Sequence, residues 1–384
     1  MDTVRLGIVG MGNMGTSHAR GILGGKVPGM VLSALCDESQ DRLASYDSAI
    51  PRFSDPGQMI RSGEIDAILI ATPHYSHTDI GIDALENGIH TMVEKPISVH
   101  KADCEKLIAA HKDPKVIFAA MFNQRTDGKY KKLRQLIKTG ELGEIRRANW
   151  IITDWFRTEA YYASGGWRAT WAGEGGGVLL NQCPHNLDLW QWMLGMPNKV
   201  RAFCGFGKYH DIEVEDEVTA YMEYDSGATG VFITTTGEAP GTNRLEIVGE
   251  RGKVVAEGST LKFYRNEVGA LEFSRSTKEG FARPPVWECD IPISGHGGQH
   301  MEILNNFTAA ILKGAELIAP AEEGIHSVEL ANSMIYSGLK QETVALPLDS
   351  KEYSEELDRL RRESRFVKKT RDDVVTNFAS SVVS

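Results

Sequence analysis

The chain has 384 residues, enough for two domains and a sizeable core. Its formal charge of −10 argues against nucleic acid as a partner, because phosphate backbones need basic surface, but it leaves room for a local basic pocket. Cys36, Cys104, Cys183, Cys204 and Cys289 are odd in number and contain no C-x-x-C pair, which argues for reduced thiols rather than a disulfide framework or a metal site.

Residues 4–9 read as a buried strand, followed at once by Gly10-Met11-Gly12-Asn13-Met14-Gly15 and a helix from Thr16. In this strand–turn–helix setting Gly10 permits the tight turn, Gly12 lets the backbone approach a pyrophosphate, and Gly15 allows close helix–strand packing. The phosphates would sit at the helix N-terminus, where unpaired N–H groups favour an anion, with Met11, Asn13 and Met14 completing the loop. A second apolar strand, 31–36, ends at Asp37. A carboxylate there suits a ribose 2′-hydroxyl and repels a 2′-phosphate, favouring NAD over NADP; a simple turn residue is the other reading.

Strands are expected at 66–71, 90–93 and 116–121, with helices at 76–87 and 99–111 between them. This alternation predicts a parallel, doubly wound Rossmann sheet in a dinucleotide-binding domain of residues 1–123. Beyond it the rhythm changes. A helix at 129–138 and a strand at 145–155 precede an aromatic and glycine-rich passage, and a helix follows near 184–194. Residues 200–290 are mostly strand-like, with turns at Asp225-Ser226-Gly227, Ala239-Pro240-Gly241 and Glu250-Arg251-Gly252. They predict a large, open, mostly antiparallel sheet. With helices at 297–313 and 322–341, residues 124–348 form a second α/β domain. Residues 349–384 make a tail, helix-permissive at 353–365, then polar from 370: a loose end or an arm on a neighbouring subunit.

Ala71-Thr72-Pro73-His74-Tyr75-Ser76-His77 and Glu94-Lys95-Pro96 both fall at carboxyl ends of parallel strands, where such sheets bind ligands. Thr72, Pro73 and His77 line the cofactor cleft in one reading; in the other they form a loop and helix cap with Ser76 as N-cap. Lys95 points toward the nicotinamide region, where its ammonium can hold a substrate oxygen, with Glu94 beside it. Gly175-Gly176-Gly177 allow close backbone approach. Asn181 reads as N-cap of the helix carrying Pro184, His185 and Asp188, with Asp188 one turn beyond His185 on a similar face. Opposite a cleft lysine, His185 is a credible general base. Trp155, Phe156, Tyr161, Tyr162, Trp167 and Trp171 are dense enough to stack on the face of a ligand ring, with about half of them expected in the core. Arg157 and Arg168 can bind hydroxyls or an anionic substituent.

These motifs in this order, from the first strand to about Leu348, resemble the Gfo/Idh/MocA oxidoreductases, the glucose–fructose oxidoreductase and inositol dehydrogenase group. Phe122-Asn123-Gln124-Arg125, Trp167-Arg168, and Glu302 and Phe307 of the late helix add to the likeness. The resemblance implies hydride transfer at a sugar or polyol carbon, with the second domain's sheet mediating homodimer or homotetramer assembly. It places Lys95 and His185 as the catalytic pair, adds Gln124 to the cofactor residues, and puts Trp167, Arg168 and Asn181 at the substrate. The family usually carries Asp four residues before the histidine. Asn181 stands there instead, and an amide cannot shuttle a proton, only hydrogen-bond or cap.

The expected activity is NAD-dependent oxidation of a secondary hydroxyl of a sugar, glycoside or cyclitol. One alternative is an NAD-dependent glycosidase working by transient oxidation, elimination, water addition and re-reduction. Another is a non-catalytic, dinucleotide-dependent regulator. The N-terminus enters strand without a signal pattern, and no apolar run reaches membrane-spanning length, so a cytoplasmic protein without a membrane partner is expected.

Overall fold

The computed structural model describes residues 2–371 and residue 374. The N-terminal part runs β1 (Val4–Val9), α1 (Asn13–Leu23), β2 (Met30–Cys36), β3 (Arg52–Phe53), α2 (Pro56–Ile60) and β4 (Ala67–Ile70). It continues through α3 (Tyr75–Glu86), β5 (His90–Val93), α4 (Lys101–Ala110) and β6 (Phe118–Ala120). The six strands form one parallel sheet in the order β3-β2-β1-β4-β5-β6. A strand covered on both faces needs no polar alternation, which is why Ala67–Ile70 is buried at every position. The order reverses between β1 and β4, so the cleft opens beyond the carboxyl ends of these two strands.

The second part contains α5 (Gly128–Lys138), β7 (Ile145–Ile152), α6 (Glu159–Ala163), α7 (Val178–Asn181), α8 (Pro184–Leu194), β8 (Lys199–Phe206), β9 (Glu215–Glu223) and β10 (Thr229–Thr235). Then come β11 (Asn243–Gly249), β12 (Gly252–Glu257), β13 (Thr260–Asn266), α9 (Ala270–Ser276) and β14 (Val286–Asp290). α10 (Gln299–Lys313), α11 (Gly324–Lys340), β15 (Val344–Ala345) and α12 (Ser350–Glu363) close the described chain. Nine strands join in the order β14-β13-β12-β11-β7-β10-β9-β8-β15. All neighbours are antiparallel except β7 and β10. Helices α8 and α11 cover one face, over Val200, Ala202, Ala220 and Met222. On the opposite face, Phe203 and Tyr221 stand exposed.

The division at residue 123 does not hold for the whole later chain. Ile303, Leu304 and Phe307 of α10, with Ala319 and Ala321 after it, are buried in the first core, not the second. The apolar period of α10 shows a face to bury but not which core receives it. The tail is also less separate than expected, since Tyr353 and Leu357 of α12 pack into the second core. The last polar residues, 375–384, lie outside the described ones.

Candidate active site

Gly12 stands at the N-cap of α1. Gly10 has φ +89°, and a Cβ there would collide with the Ala71 backbone; a Cβ on Gly15 would collide with the carbonyl of Gly10. Gly12 differs, because a Cβ on it would meet nothing within 4 Å and would project into the open cradle. Asp37 closes one side. Its Oδ2 accepts from Met11 N at 2.7 Å and its Oδ1 from Ser39 N at 2.9 Å. Asp37 therefore braces the glycine loop while facing the cleft. Met11 offers only main chain to this site, because its side chain is buried in the first core.

On the other side of the cradle, Thr72 Oγ1 is buried without a hydrogen-bond partner among the described residues. The His77 ring ties two loops together, its Nδ1 lying 2.8 Å from Pro96 O and its Nε2 2.8 Å from Thr72 O. Ser76 is not the cap of α3, which begins one residue earlier; its Oγ donates to Pro73 O from within the first turn. The Lys95–Pro96 peptide is cis.

Lys95 leaves the carboxyl end of β5 and crosses to the second domain, where Nζ donates to the main-chain carbonyl of Asn181 at 3.0 Å. Behind it, Glu94 Oε1 meets His18 Nε2 at 2.7 Å. Burial favours the protonated Glu94 carboxyl, but the His18 hydrogen bond and the charges of His18, His300 and Lys95 outweigh it and bring the group down to about 2. Burial also lowers Lys95, helped by Arg168 and Arg157 and opposed by Glu94 and Glu174.

His185 occupies the first turn of α8, just after Pro184. Its ring sits edge-on to Phe122, and its Nδ1 is buried without a partner among the described residues. Burial, with Lys95 and His300 adding to it, holds His185 well below the usual imidazole range, so it is neutral and able to take a proton. Lys95 and His185 border one cleft of about 2180 Å³, together with Gly10, Gly12, Asn13, Met14, Asp37, Thr72 and Gln124. Drug-sized ligand pockets span roughly 300–1,000 Å³, so this one has room for a dinucleotide and a second molecule.

Asn181 does not cap α8. It ends the one-turn helix α7, and Cys183 stands at the N-cap. The glycine run explains the extra turn. Gly177 packs so tightly on the backbone of Glu215 that a Cβ would collide, and the Glu215 carboxylate accepts from Gly177 N and Leu179 N. The Asn181 amide is a hub for its neighbours. Its Oδ1 accepts from Tyr161 Oη at 3.1 Å and Gln182 Nε2 at 3.0 Å, and its Nδ2 donates to Glu174.

The wall opposite Lys95 is cationic and aromatic. Arg168 Nη1 donates to Tyr161 Oη at 3.0 Å, and its guanidinium lies 4.6 Å from the centre of the Trp167 ring. Arg157 stacks near Tyr161 and Trp155. Of the six aromatic residues in this passage, Trp155, Tyr161 and Trp167 border the cleft. Tyr162 and Trp171 belong to the core, and Phe156 faces solvent.

Asp188 is not in the site. It pairs with Arg125, Oδ2 to Nε at 2.8 Å and Oδ1 to Nη2 at 2.6 Å, both side chains about 1% exposed. One helical turn carried it past the cleft and under it. Sequence reasoning missed His300, Glu174 and His18. His300 borders the cleft 5.5 Å from the His18 ring, and burial takes it down to about 4. No motif marks it, since α10 arrives from far along the chain. Glu174 directly precedes the three glycines, and a carboxylate beside so tight a turn was the available signal.

Residues 4–122 match the family model described as "Oxidoreductase family, NAD-binding Rossmann fold", and residues 130–255 the one described as "GFO/IDH/MocA C-terminal domain". Among curated proteins, the inositol 2-dehydrogenase of Rhizobium meliloti is 23% identical over 90% of this chain and 99% of its own. The levoglucosan dehydrogenase of Pseudarthrobacter phenanthrenivorans is 24% identical with the same coverage. The crystal structure of the WlbA dehydrogenase of Chromobacterium violaceum with NADH and UDP-GlcNAcA superposes with a TM-score of 0.78 at 26% identity. That likeness covers 91% of this chain and 97% of the other. The open cradle at Gly12, the braced Asp37 and the unpartnered Thr72 hydroxyl fit the NAD that the first family model describes.

Proposed function

Since the chain belongs to the Gfo/Idh/MocA oxidoreductases, we propose that it oxidises a secondary hydroxyl of a sugar, glycoside or cyclitol with NAD⁺. The observation that carries this reading is the pairing of a half-buried, cleft-facing Lys95 with a neutral His185 beyond the carboxyl ends of the parallel strands. Inositol 2-dehydrogenase and levoglucosan dehydrogenase are among the relatives, and both names specify ring compounds bearing secondary hydroxyls.

In this reading Gly10, Gly12, Asn13, Met14 and Asp37 hold the dinucleotide, with Thr72, Pro73, Glu94 and Gln124 along its length. His77 holds the Thr72 and Pro96 loops in register. Bound NAD⁺ supplies the hydride acceptor. The substrate hydroxyl gives its proton to His185, whose imidazole burial keeps neutral. The Lys95 ammonium donates to the same oxygen as negative charge builds on it, and the Asn181 carbonyl keeps Nζ in place. The amide of Asn181 accepts no proton; it orients Tyr161 and Glu174. The exposed face of the nine-stranded sheet, with Phe203 and Tyr221, serves as the face on which copies pair into a dimer or tetramer.

The test is purified protein with NAD⁺ and a panel of free sugars, cyclitols and chromogenic glycosides, with NADH absorbance and aglycone release followed together. NADH formed from a free sugar or cyclitol supports the dehydrogenase. Aglycone released without NADH, and only when NAD⁺ is present, would replace this reading with redox-neutral glycoside cleavage.

A further inference from the structure

The segment after α12 does not leave the molecule. Ser364 Oγ bonds the Glu213 carboxylate, Lys369 Nζ donates to Asp211 Oδ2 at 2.7 Å, and Arg371 N donates to Ala163 O at 2.9 Å. These contacts lay residues 364–371 along α6 at the rim of the cleft, which Arg371 borders. Lys368, half-buried, stands in this strap between the Ser364 contact and Arg371 at the cleft, next to the anchored Lys369, and its ammonium acts on Arg168 and Glu174.

The charges on this wall do not cancel. Arg157 uses Nη1 on the carbonyl of Phe156, while its Nε is buried without a partner among the described residues. Arg168 spends Nη1 on Tyr161 Oη. Neither guanidinium makes an ion pair among the described residues. Of the acids nearby, Glu174 is engaged by Ala169 N and the Asn181 amide, Asp211 by Lys369, and Glu159 by Asp211 N, while Asp154 borders the cleft without an ion pair to either guanidinium among the described residues. A buried N–H without an acceptor costs free energy that a ligand oxygen would recover. Two planar guanidiniums around one aromatic ring match a carboxylate, sulfonate or phosphate better than they match a hydroxyl.

We propose that the substrate carries an anionic substituent, held by Arg157 and Arg168 on the cleft wall, with Lys368 of the C-terminal strap as a third cation that tunes specificity. This rests on the carbohydrate dehydrogenase reading for what the anion is attached to. Because Arg157, Arg168 and Lys95 border the same cleft, the anionic group and the reacting hydroxyl belong to the same small molecule. The acidic protein thus keeps one local patch of positive potential, where it draws in an anion and orients it.

The experiment is calorimetric binding to the enzyme saturated with NADH, which needs no turnover. The probes are a neutral hexose and its 6-carboxylate, 6-sulfonate and 6-phosphate forms. At least one anionic form is expected to bind about tenfold or more tighter than the neutral parent, with the advantage shrinking as salt rises. Lys368→Ala should erode that advantage several-fold, Lys368→Arg should retain it, and NADH affinity should not move. Arg168→Ala should abolish it. If an anionic form binds in this way but forms no NADH with NAD⁺, the anion site stands and the dehydrogenase reading fails. If the neutral hexose binds as tightly as every anionic form, or if Lys368→Ala weakens neutral and anionic ligands alike, the proposal is overturned.

Discussion

The ammonium of Lys95 donates to the main-chain carbonyl of Asn181 at 3.0 Å, so a cleft-bordering side chain of the first domain is held by the second domain's backbone. A carbonyl anchor survives any change of the Asn181 side chain. Lys95→Ala should leave NADH affinity nearly intact and lower kcat by about 10²–10⁴-fold, the usual range for a lost proton-transfer or oxyanion group. Asn181→Ala keeps the anchor but frees Tyr161 and Glu174, so KM should rise more than kcat falls. Steady-state kinetics with NADH fluorescence titration separates the two, and near-normal turnover by Lys95→Ala would sink its catalytic role.

The pH profile follows from the two lowered groups. In the proposed reaction His185 acts as a base only when neutral, and burial holds its proton affinity well below the usual imidazole range, so the acid limb of kcat/KM is expected below that range. Lys95 works only when charged, and burial lowers it, so the alkaline limb comes earlier than an ordinary lysine would place it. Activity is therefore expected to persist on the acid side through the usual imidazole range and to fall on the alkaline side before the ordinary lysine value. A profile that begins to lose activity near the ordinary imidazole value would contradict the neutral-base assignment.

Two glycines of the first loop should fail in different ways. Gly12→Ala adds a methyl where nothing lies within 4 Å, so thermal stability should barely change while NADH affinity drops about tenfold, about 1.4 kcal/mol. Gly15→Ala drives a methyl into the Gly10 carbonyl, and stability should fall by about 1–3 kcal/mol or more as helix and strand are forced apart. Thermal unfolding without cofactor, set beside NADH titration, tests both.

The Arg125–Asp188 pair is a stability element beneath the site. Arg125 also donates to the Ile318 carbonyl and Glu323, so it stitches α8 to the segment between α10 and α11. Asp188→Ala leaves a buried guanidinium short of its partner and should cost about 3–5 kcal/mol in chemical denaturation. Catalysis by the folded fraction should change little. A stable Asp188→Ala protein with lost turnover would place Asp188 in the active site.

The parts that depend on local spacing were legible in the chain itself. Strand, glycine loop and helix fall within about twenty residues, so Gly10, Gly12, Gly15 and Asp37 declare a dinucleotide site by themselves. The parallel and antiparallel sheets follow equally from run length and turn residues. That Lys95 and His185 border one cleft was legible only from their combination, since either residue alone is common. Contacts between distant stretches were not legible. Asp188 shares a helical face with His185 in the sequence, yet Arg125 claims it from 63 positions away. α10 shows an apolar face but gives no sign that it returns to the first core, and so His300 went unseen. The stretch from 370 read as a loose end from its small polar residues, and only the partners Glu213, Asp211 and Ala163 show that residues 364–371 lie along the rim of the cleft. A pattern within one element is set by backbone geometry, which each short stretch carries with it. Which element then meets which is decided by burial and charge pairing over the whole molecule, and that requires the tertiary structure.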